Sequence, residues 1–374
     1  EEAGEYYFFI LIIAVSMMFA VSANNLIMIY LAVESISLLS YIMTGFLKRE
    51  GPSSEAGLKY FLFGALATGI MLYGISFLYG IFGTADLASI IMGLEQEPLQ
   101  PLILTVALIF VLVGLCFKCG LAPFHMWVPD VYQGAPTPVT ALLSVGPKAV
   151  GFALLIRLFI NGFAVVMPQW ILLATCLAIL SMTIGNIFAI PQTNIKRLLA
   201  YSSIAQAGYI TVALAVGTST AIDALMFYVI VYALMNLVAF AAVILNSHSL
   251  ESDLIEDYAG LYKKDPLTAL CLTIALLSLA GIPPLAGFWA KFLILSAAIE
   301  KHFFVLAIVL ILNSLVAVYY YLKIIKVMYL SEPKTFEIPV KPFPLRLAFL
   351  AGTAGILILS IFPHWIINWI SIVK

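Results

Sequence analysis

The chain has 374 residues, of which 63% are hydrophobic and 10% charged, and its formal net charge is −1. A soluble domain carries about 25% charged residues, so this composition excludes an ordinary soluble protein and indicates a polytopic membrane protein. The near-zero charge also excludes nucleic acid as a partner. All four cysteines lie in apolar segments, which predicts no disulfide framework. Cys116 and Cys119 form an isolated C-x-x-C, for which we expect neither a metal nor a redox role.

Windows of about 20 apolar residues predict eleven membrane-spanning segments. They lie near 6–23, 25–47, 57–82, 101–131, 137–160, 170–190, 198–216, 221–246, 266–298, 303–329 and 345–370. Two of them, 101–131 and 266–298, are too long for one straight crossing of a roughly 30 Å hydrocarbon core. Both contain helix breakers, so the sequence predicts two discontinuous helices. The breakers are Gly120 and Pro123 in the first segment, and Gly281, Pro283 and Pro284 in the second.

The two interrupted segments share a short sequence echo, GLAPF at 120–124 and GIPP at 281–284. Each would be the fourth span of a five-span unit, and two successive units with an odd number of spans lie upside down to one another. We therefore predict an all-α membrane protein of about 11 transmembrane helices in two inverted five-helix repeats, each with a discontinuous helix. Paired interrupted helices in inverted halves indicate a transport site.

These repeats define the predicted domains. The first repeat covers residues 1–161 and holds the broken helix near 101–131, and the second covers 162–330 and holds the one near 266–298. Residues 331–374 would form a cytoplasmic loop and a final transmembrane helix.

Loop charges predict the orientation of the spans. One side collects Lys48, Arg49, Lys196, Arg197, Lys263, Lys264, Lys334, Lys341 and Arg346. The other side carries Lys301 and Lys374 with the acidic Asp86, Glu95 and Glu97. By the positive-inside rule the first side is cytoplasmic, so Glu1 starts there and the C-terminus ends outside. The expected location is a bacterial plasma membrane, or an organellar or thylakoid equivalent.

Four ionisable side chains at membrane depth are the candidate site, because charge there is unfavourable and marks function by default. Glu34 lies in the second span, Lys118 just before the first break, Lys148 at the centre of the fifth span and Lys291 about two turns after the second break. Burial disfavours an ammonium group and a nearby carboxylate favours it, so a glutamate–lysine pair can load and release a proton. The alternative is that Glu34 and Lys118 form a purely structural ion pair.

Other polar residues leave alternatives open. Lys59 either snorkels to the interface or joins the pathway. His125 either shuttles protons or caps the restarted helix. Asp130 and Arg157 lie near span ends, where we expect positional anchors. The seventh span carries a polar patch that either lines water or bonds to neighbouring helices. Its members are Tyr201, Ser202, Ser203 and Gln206.

Several long motifs resemble the antiporter-like membrane subunits of respiratory complex I. They are FK at 117–118, PFHMW at 123–127, PDVYQGAPTP at 129–138, NIKRLLAYSSI at 194–204 and LAGIPPLAGF at 279–288. The resemblance covers essentially the whole chain and is closest to the chain N type of NADH–quinone oxidoreductase. The context of Lys148, and a lysine at 291 where the M type has a glutamate, favour that type. The family has fourteen spans, so eleven imply that the first three are missing from this sequence.

The resemblance also implies residue roles. Glu34 corresponds to the glutamate of the first repeat and Lys118 to the lysine of its broken helix. Lys148 matches the connecting lysine, Lys291 the lysine of the second broken helix, and Lys59 a further family lysine.

The function implied is a proton-translocating subunit of an NADH–quinone oxidoreductase, with other membrane-arm subunits as partners in the lipid bilayer. NAD, flavin, iron–sulfur clusters and quinone would be bound by partner subunits, so we expect no cofactor and no redox centre in this chain. Three alternatives stay open. The chain could belong to a multisubunit cation/proton antiporter, to a membrane-bound hydrogenase or another dehydrogenase sharing the module, or it could be a non-conducting scaffold.

Overall fold

The computed structural model describes residues 3–96, 101–164, 167–250, 252–333 and 343–373. Within these ranges the regular elements are all helical, and two isolated backbone bridges are the remaining pairings. Ten of the described helices are long and apolar enough to cross a membrane, and an eleventh apolar helix, Pro266–Ala280, is shorter. The prediction of an all-α protein with about eleven apolar spans is therefore confirmed. Of the loop charges used for orientation, Glu1, Glu97, Lys334, Lys341 and Lys374 lie outside the described residues.

The chain divides into two compact units, Glu1–Leu173 and Ala174–Lys374, and the predicted domain boundaries stay predictions. The first unit contains α1 (Ala3–Ser22), α2 (Leu26–Thr44), α3 (Gly51–Phe82), α4 (Leu87–Gln96), α5 (Pro101–Cys119), α6 (Val128–Gly134) and α7 (Thr137–Leu155). A π-helix over Ile156–Gly162 continues α7. Helix α3 packs along α5, and α1 along α2.

Helix α4 was not predicted, because ten residues are too few for a membrane span. Its start is fixed by Asp86, whose carboxylate accepts hydrogen bonds from the backbone and the hydroxyl of Ser89, both at 2.9 Å. Such a cap satisfies a backbone donor at the first turn of a helix. Leu87, Ile90 and Leu94 are buried on one face, so α4 lies against the unit as a short amphipathic helix.

Helix α8 (Met167–Ala189) crosses the boundary into the second unit. That unit continues with α9 (Ile195–Val216), α10 (Ser219–Leu250), α11 (Leu261–Lys264), α12 (Pro266–Ala280), α13 (Ala286–Glu300), α14 (Phe304–Leu330), α15 (Phe343–Ile361) and α16 (Pro363–Val373). Helix α9 is buried along almost its whole length, and α10 packs against α9, α12, α13 and α15. The second unit is thus built around α9 and α10.

The last predicted span, 345–370, is two helices and not one. Helix α15 ends at Ile361 and α16 begins at Pro363. Proline lacks the backbone N–H that would continue the α15 ladder, and it disfavours helical backbone in the residue before it. The hydropathy window did not detect this helix end, because the residues on both sides of it are hydrophobic.

The same sequence of structural features recurs in each unit. In the first, Asn25 caps α2 and forms a backbone bridge with Asp86, which follows the 32-residue α3. In the second, Asn194 caps α9 and bridges to Leu254, which follows the 32-residue α10. An interrupted helix comes next in both cases. This common order supports an internal repeat, while the inverted orientation of the repeats stays a prediction.

Candidate functional site

The first break lies where α5 ends. Gly120 has φ +70°, a left-handed conformation that favours glycine because it has no Cβ. The amides of Gly120 and Leu121 turn back to donate to the carbonyls of Phe117 (3.0 Å) and Cys116 (2.9 Å), which closes the helix end. Helical structure restarts only at Val128. The predicted discontinuous helix is therefore confirmed in this unit.

Two aromatic residues support this break, and the sequence interpretation missed both. The Trp127 indole N–H donates to the carbonyl of Phe117 at 3.2 Å. Its ring stacks on Tyr60, with ring centres 4.2 Å apart and planes 9° apart. A carbonyl released at a helix end inside the membrane needs such a donor. The available signal was a tryptophan in a break motif, since a buried indole N–H usually has a partner.

Lys118 is buried next to the break, with 2% of its surface exposed. Its Nζ donates to Ser37 Oγ at 2.8 Å, and that hydroxyl donates to the carbonyl of Val33 at 2.8 Å. Glu34 lies one turn before Ser37 on α2 and interacts electrostatically with Lys118. Among the described residues, Glu34 Oε2 is buried without a hydrogen-bond partner. Ser37, and not Glu34, thus accepts the hydrogen bond of the lysine.

Lys148 reaches the same break from α7. It is 2% exposed, and its Nζ lies 5.9 Å from the centre of the Tyr132 ring. A Cβ placed on Gly120 would be 3.4 Å from this Nζ, so the ammonium group covers the glycine of the break. Gly151 allows the close packing, because a Cβ there would be 2.6 Å from Cys119 Sγ. The structure therefore brings Lys118 and Lys148 to one break.

His125 belongs to the segment that interrupts the helix. It is 8% exposed, and its Nδ1 is buried without a hydrogen-bond partner among the described residues. Helix α6 begins with no side-chain cap, so His125 does not have the capping role. A proton role for His125 stays a prediction.

Charged side chains also connect the helices of this unit. Lys59 Nζ lies 2.8 Å from both Glu55 and Asp130, with 39% of its side chain exposed. Arg157 donates to the carbonyls of Val21 and of Ala23, the latter at 3.0 Å. Asp130 and Arg157 thus act as the anchors that their positions predicted.

The second break repeats the backbone geometry of the first. Gly281 has φ +85°, and the amides of Gly281 and Ile282 both donate to the carbonyl of Leu277 at 3.1 Å. Helix α13 restarts at Ala286, and the Gly287 amide donates to Ser278 Oγ at 3.0 Å. The second discontinuous helix is therefore confirmed as well.

Lys291 covers this second break from α13. It is 6% exposed, and its Nζ donates to the carbonyl of Ala280, the last residue of α12, at 2.9 Å. The same Nζ lies 4.5 Å from the centre of the Tyr209 ring. A Cβ on Gly281 would be 2.8 Å from Lys291 Cδ, so the lysine fills the space that the glycine leaves. Its hydrogen-bond acceptor is a backbone carbonyl rather than a carboxylate.

Neutral polar side chains surround the second break. Gln206 Nε2 donates to the carbonyl of Leu279 at 3.0 Å, and Tyr228 donates to Gln206 Oε1 at 2.5 Å. Ser202 hydrogen-bonds to Tyr321. The patch predicted in the seventh span therefore bonds to neighbouring helices through Ser202 and Gln206.

A second group of neutral residues, which the sequence interpretation missed, meets Tyr209. Asn186 Nδ2 donates to Tyr209 Oη at 2.9 Å, and Tyr320 donates to Asn186 Oδ1 at 3.0 Å. The available signal for Asn186 was an amide in an otherwise apolar span. Buried amides in membrane helices commonly hydrogen-bond across helices.

The donor set of the described residues does not fit an iron–sulfur cluster or a bound metal. Cys116 and Cys119 are free and buried, and no group of three or more His, Cys, Asp or Glu side chains is placed to share an ion in this part of the chain. Clusters of this kind need several thiolate or imidazole ligands.

The fold and the buried lysines at the helix breaks define an integral, multi-pass membrane protein of the antiporter-like class. Residues 23–317 match the family described as NADH:quinone oxidoreductase/Mrp antiporter, transmembrane, and the chain belongs to this family.

Relatives and solved structures agree with this assignment. The chain is 46% identical over 350 residues to NAD(P)H-quinone oxidoreductase subunit 2 of Microcystis aeruginosa, covering 92% of this chain and 68% of that protein. It resembles a chain of respiratory complex I from Thermus thermophilus with a TM-score of 0.85 and 37% identity, covering 97% of this chain and 79% of that one. It also resembles a chain of the archaeal membrane-bound sulfane sulfur reductase, with a TM-score of 0.89, 26% identity and coverage of 98% and 74%.

Proposed function

We propose that this chain translocates protons as a membrane subunit of an NAD(P)H–quinone oxidoreductase of the complex I type. The observation that carries the proposal is the placement of three buried lysines at two helix breaks. Lys118 and Lys148 lie at the first break, and Lys291 lies at the second. A buried ammonium group is unfavourable unless it is hydrogen-bonded, and charges at membrane depth mark ion and proton pathways.

In the proposed path, protons enter from the cytoplasmic side and load Glu34 and Lys118. They pass by Lys148 and leave through Lys291 to the outside. The contacts of the first break support the loading step, because Ser37 holds the Lys118 ammonium group one turn from the Glu34 carboxylate. Helix ends that expose carbonyls inside a membrane protein require polar or watery surroundings, in which protons can move.

The proposed partners are the other membrane-arm subunits of such a complex, by analogy with the quinone oxidoreductase relative and with respiratory complex I. Redox chemistry in those subunits would drive the transfer by shifting charge along the membrane arm, and they would hold NAD, flavin, iron–sulfur clusters and quinone. The proposed location is a bacterial plasma membrane or an organellar or thylakoid equivalent. The basic loops, including the one with Lys48 and Arg49, face the cytoplasm, and the C-terminus lies outside.

The test is Lys148→Ala in the complete complex, reconstituted in vesicles, with quinone reduction and proton uptake measured together. We expect the variant to assemble and proton uptake to be abolished, because alanine removes the buried ammonium group that Lys148 brings to the first break. Lys301→Ala is the control, since Lys301 is an exposed lysine at the end of α13. Normal proton uptake by assembled Lys148→Ala would refute the proposal.

A second candidate function is cation/proton exchange in a multisubunit antiporter, because the family includes Mrp antiporters as well as quinone oxidoreductases. Sodium-dependent transport without quinone reduction would favour it, and quinone-reductase subunits co-purifying with the chain would contradict it. A non-conducting scaffold would show no proton flux through the purified membrane arm.

A further inference from the structure

The second break contains a contact that the proposed proton path does not use. Lys291 has no carboxylate among the described groups with which it interacts, so its ammonium group relies on neutral partners. One partner is the Ala280 carbonyl, which belongs to the C-terminal end of α12. The C-terminal end of a helix carries a partial negative charge that attracts cations. This carbonyl accepts one hydrogen bond from the ammonium group, on one side of it.

The other partner is the face of Tyr209, a residue of α9 that is fully buried. The distance of 4.5 Å from Lys291 Nζ to the ring centre is well inside the roughly 6 Å limit for a cation–π contact. Such a contact is stronger where water is excluded, because the negative face of the ring then meets an unscreened charge. Tyr209 therefore supplies negative potential that no carboxylate supplies at this break.

The ring of Tyr209 is held in place independently of the lysine. Asn186 Nδ2 donates to its hydroxyl at 2.9 Å, and the Asn186 amide is itself fixed by a bond from Tyr320 at 3.0 Å. A ring fixed in this way presents its face without further ordering when the lysine becomes charged. Preorganised groups of this kind favour a charge more than groups that must reorient.

The first break offers a parallel. Lys148 also lies over a left-handed glycine and over a tyrosine ring, that of Tyr132, at 5.9 Å. Lys148 lies on α7, which follows the restarted helix α6, whereas Lys291 lies on α13, which is itself the restarted helix. The two lysines therefore occupy different positions in the chain relative to their breaks. Lysines on non-equivalent helices thus each lie over a left-handed glycine and near a tyrosine ring.

We propose that Tyr209 is a positioning residue for proton transfer, whose ring face holds the protonated Lys291 side chain on the Ala280 carbonyl at the second break. The inference rests on the proposed function, since it assigns Tyr209 a role in the path through Lys291. The ring, and not the hydroxyl, carries the role. The hydroxyl orients the ring through Asn186.

The experiment compares Tyr209→Phe with Tyr209→Leu in the complete complex in vesicles, with proton uptake measured per quinone reduced. Phenylalanine keeps the aromatic face and leucine removes it. We expect Tyr209→Phe to keep at least about half of the wild-type ratio and Tyr209→Leu to lose roughly 30-fold, the size of effect expected for a desolvated cation–π contact. Tyr258→Leu, which removes an equally buried tyrosine from the same unit, controls for loss of stability.

The outcomes distinguish a role of the Tyr209 ring from a role of its hydroxyl, and the inference on Tyr209 from the proposed path. Equal losses in Tyr209→Phe and Tyr209→Leu would assign the role to the hydroxyl and overturn the inference, as would a normal ratio in Tyr209→Leu. Lys291→Ala, measured in parallel, tests the path itself. If Lys291→Ala abolishes uptake while Tyr209→Leu does not, the inference on Tyr209 fails and the proposed function stands. If Lys291→Ala leaves uptake intact, the proposed path fails first.

Discussion

The two helix breaks have the same backbone geometry and different chemistry. Each ends in a left-handed glycine, Gly120 or Gly281, that is covered by the ammonium group of a lysine. Two lysines, Lys118 and Lys148, lie at the first break, and the Glu34 carboxylate interacts electrostatically with Lys118. At the second break a single lysine meets a backbone carbonyl and the Tyr209 ring. Each break therefore leaves backbone carbonyls at a helix end. The side chains of the surrounding helices determine how a charge is stabilised there.

This difference implies that the two units respond to different substitutions. The first break depends on charged groups that act over a distance, so neutralising a side chain should change it. The second break depends on short contacts with neutral groups, so changes of shape should affect it more. Substitutions at the two breaks should therefore differ in their effect on proton uptake.

The largest effect is expected when a lysine is replaced by an uncharged side chain of similar length. Lys291→Met and Lys118→Met should each abolish proton uptake in the assembled complex, because methionine keeps the length of the side chain but carries no ionisable proton. The measurement is proton uptake by vesicles, with subunit content checked by gel. Residual uptake near the wild-type level in Lys291→Met would show that the second break is not on the path.

The next largest effects are expected for alanine at the two glycines, and these effects should differ between the two breaks. A left-handed conformation costs a non-glycine residue about 1–2 kcal/mol, so both variants are expected to be less stable. At Gly281 the new Cβ would also be 2.8 Å from Lys291 Cδ, whereas at Gly120 the nearest atom is Val128 Cγ2 at 3.0 Å.

Gly281→Ala should therefore lose more proton uptake per assembled complex than Gly120→Ala. Subunit retention after detergent extraction corrects for stability. The reverse order would contradict the view that shape matters more at the second break.

A moderate effect is expected for Ser37→Ala, which removes the acceptor for Lys118 but leaves every charge in place. A hydrogen bond to a charged group contributes about 1.5–3 kcal/mol, so we expect proton uptake to fall roughly tenfold. Ser40→Ala is the matched control, because Ser40 is equally buried on α2 and its hydroxyl donates to the Ile36 carbonyl at 2.6 Å. Equal effects of the two substitutions would show that Ser37 has no special role.

The smallest effect is expected for Lys59→Ala. Lys59 pairs with Glu55 and Asp130 where 39% of its side chain meets solvent, and exposed ion pairs contribute little. Proton uptake should stay within about twofold of wild type, as for Lys263→Ala, which removes a similarly exposed pair with Glu332. The hydrogen bonds to Glu332 raise the pKa of Lys263, so this control lysine is charged at neutral pH. A large loss in Lys59→Ala alone would place Lys59 on the pathway.

Much of the fold was predictable because composition and hydropathy act locally. The apolar windows located the spans. Glycine and proline located both breaks, because their effect on a helix comes from their own backbone and does not depend on contacts with other helices. The stop at Pro363 was missed although the proline was visible, because the apolar window does not respond to backbone geometry. Helix α4 was missed because an amphipathic helix of ten residues has no membrane-length signal.

The candidate site was predictable in its ionisable residues and not in its contacts. A buried lysine such as Lys148 stands out in any sequence, because charge at membrane depth is rare. That Lys148 covers Gly120, that Lys118 bonds to Ser37 and that Lys291 lies over Tyr209 depend on pairs of residues from different helices. Sequence alone therefore determined the membrane class, the two interrupted helices and the lysines. The tertiary structure decided which neutral group meets each lysine, because helix packing sets those distances and hydrophobic pattern does not.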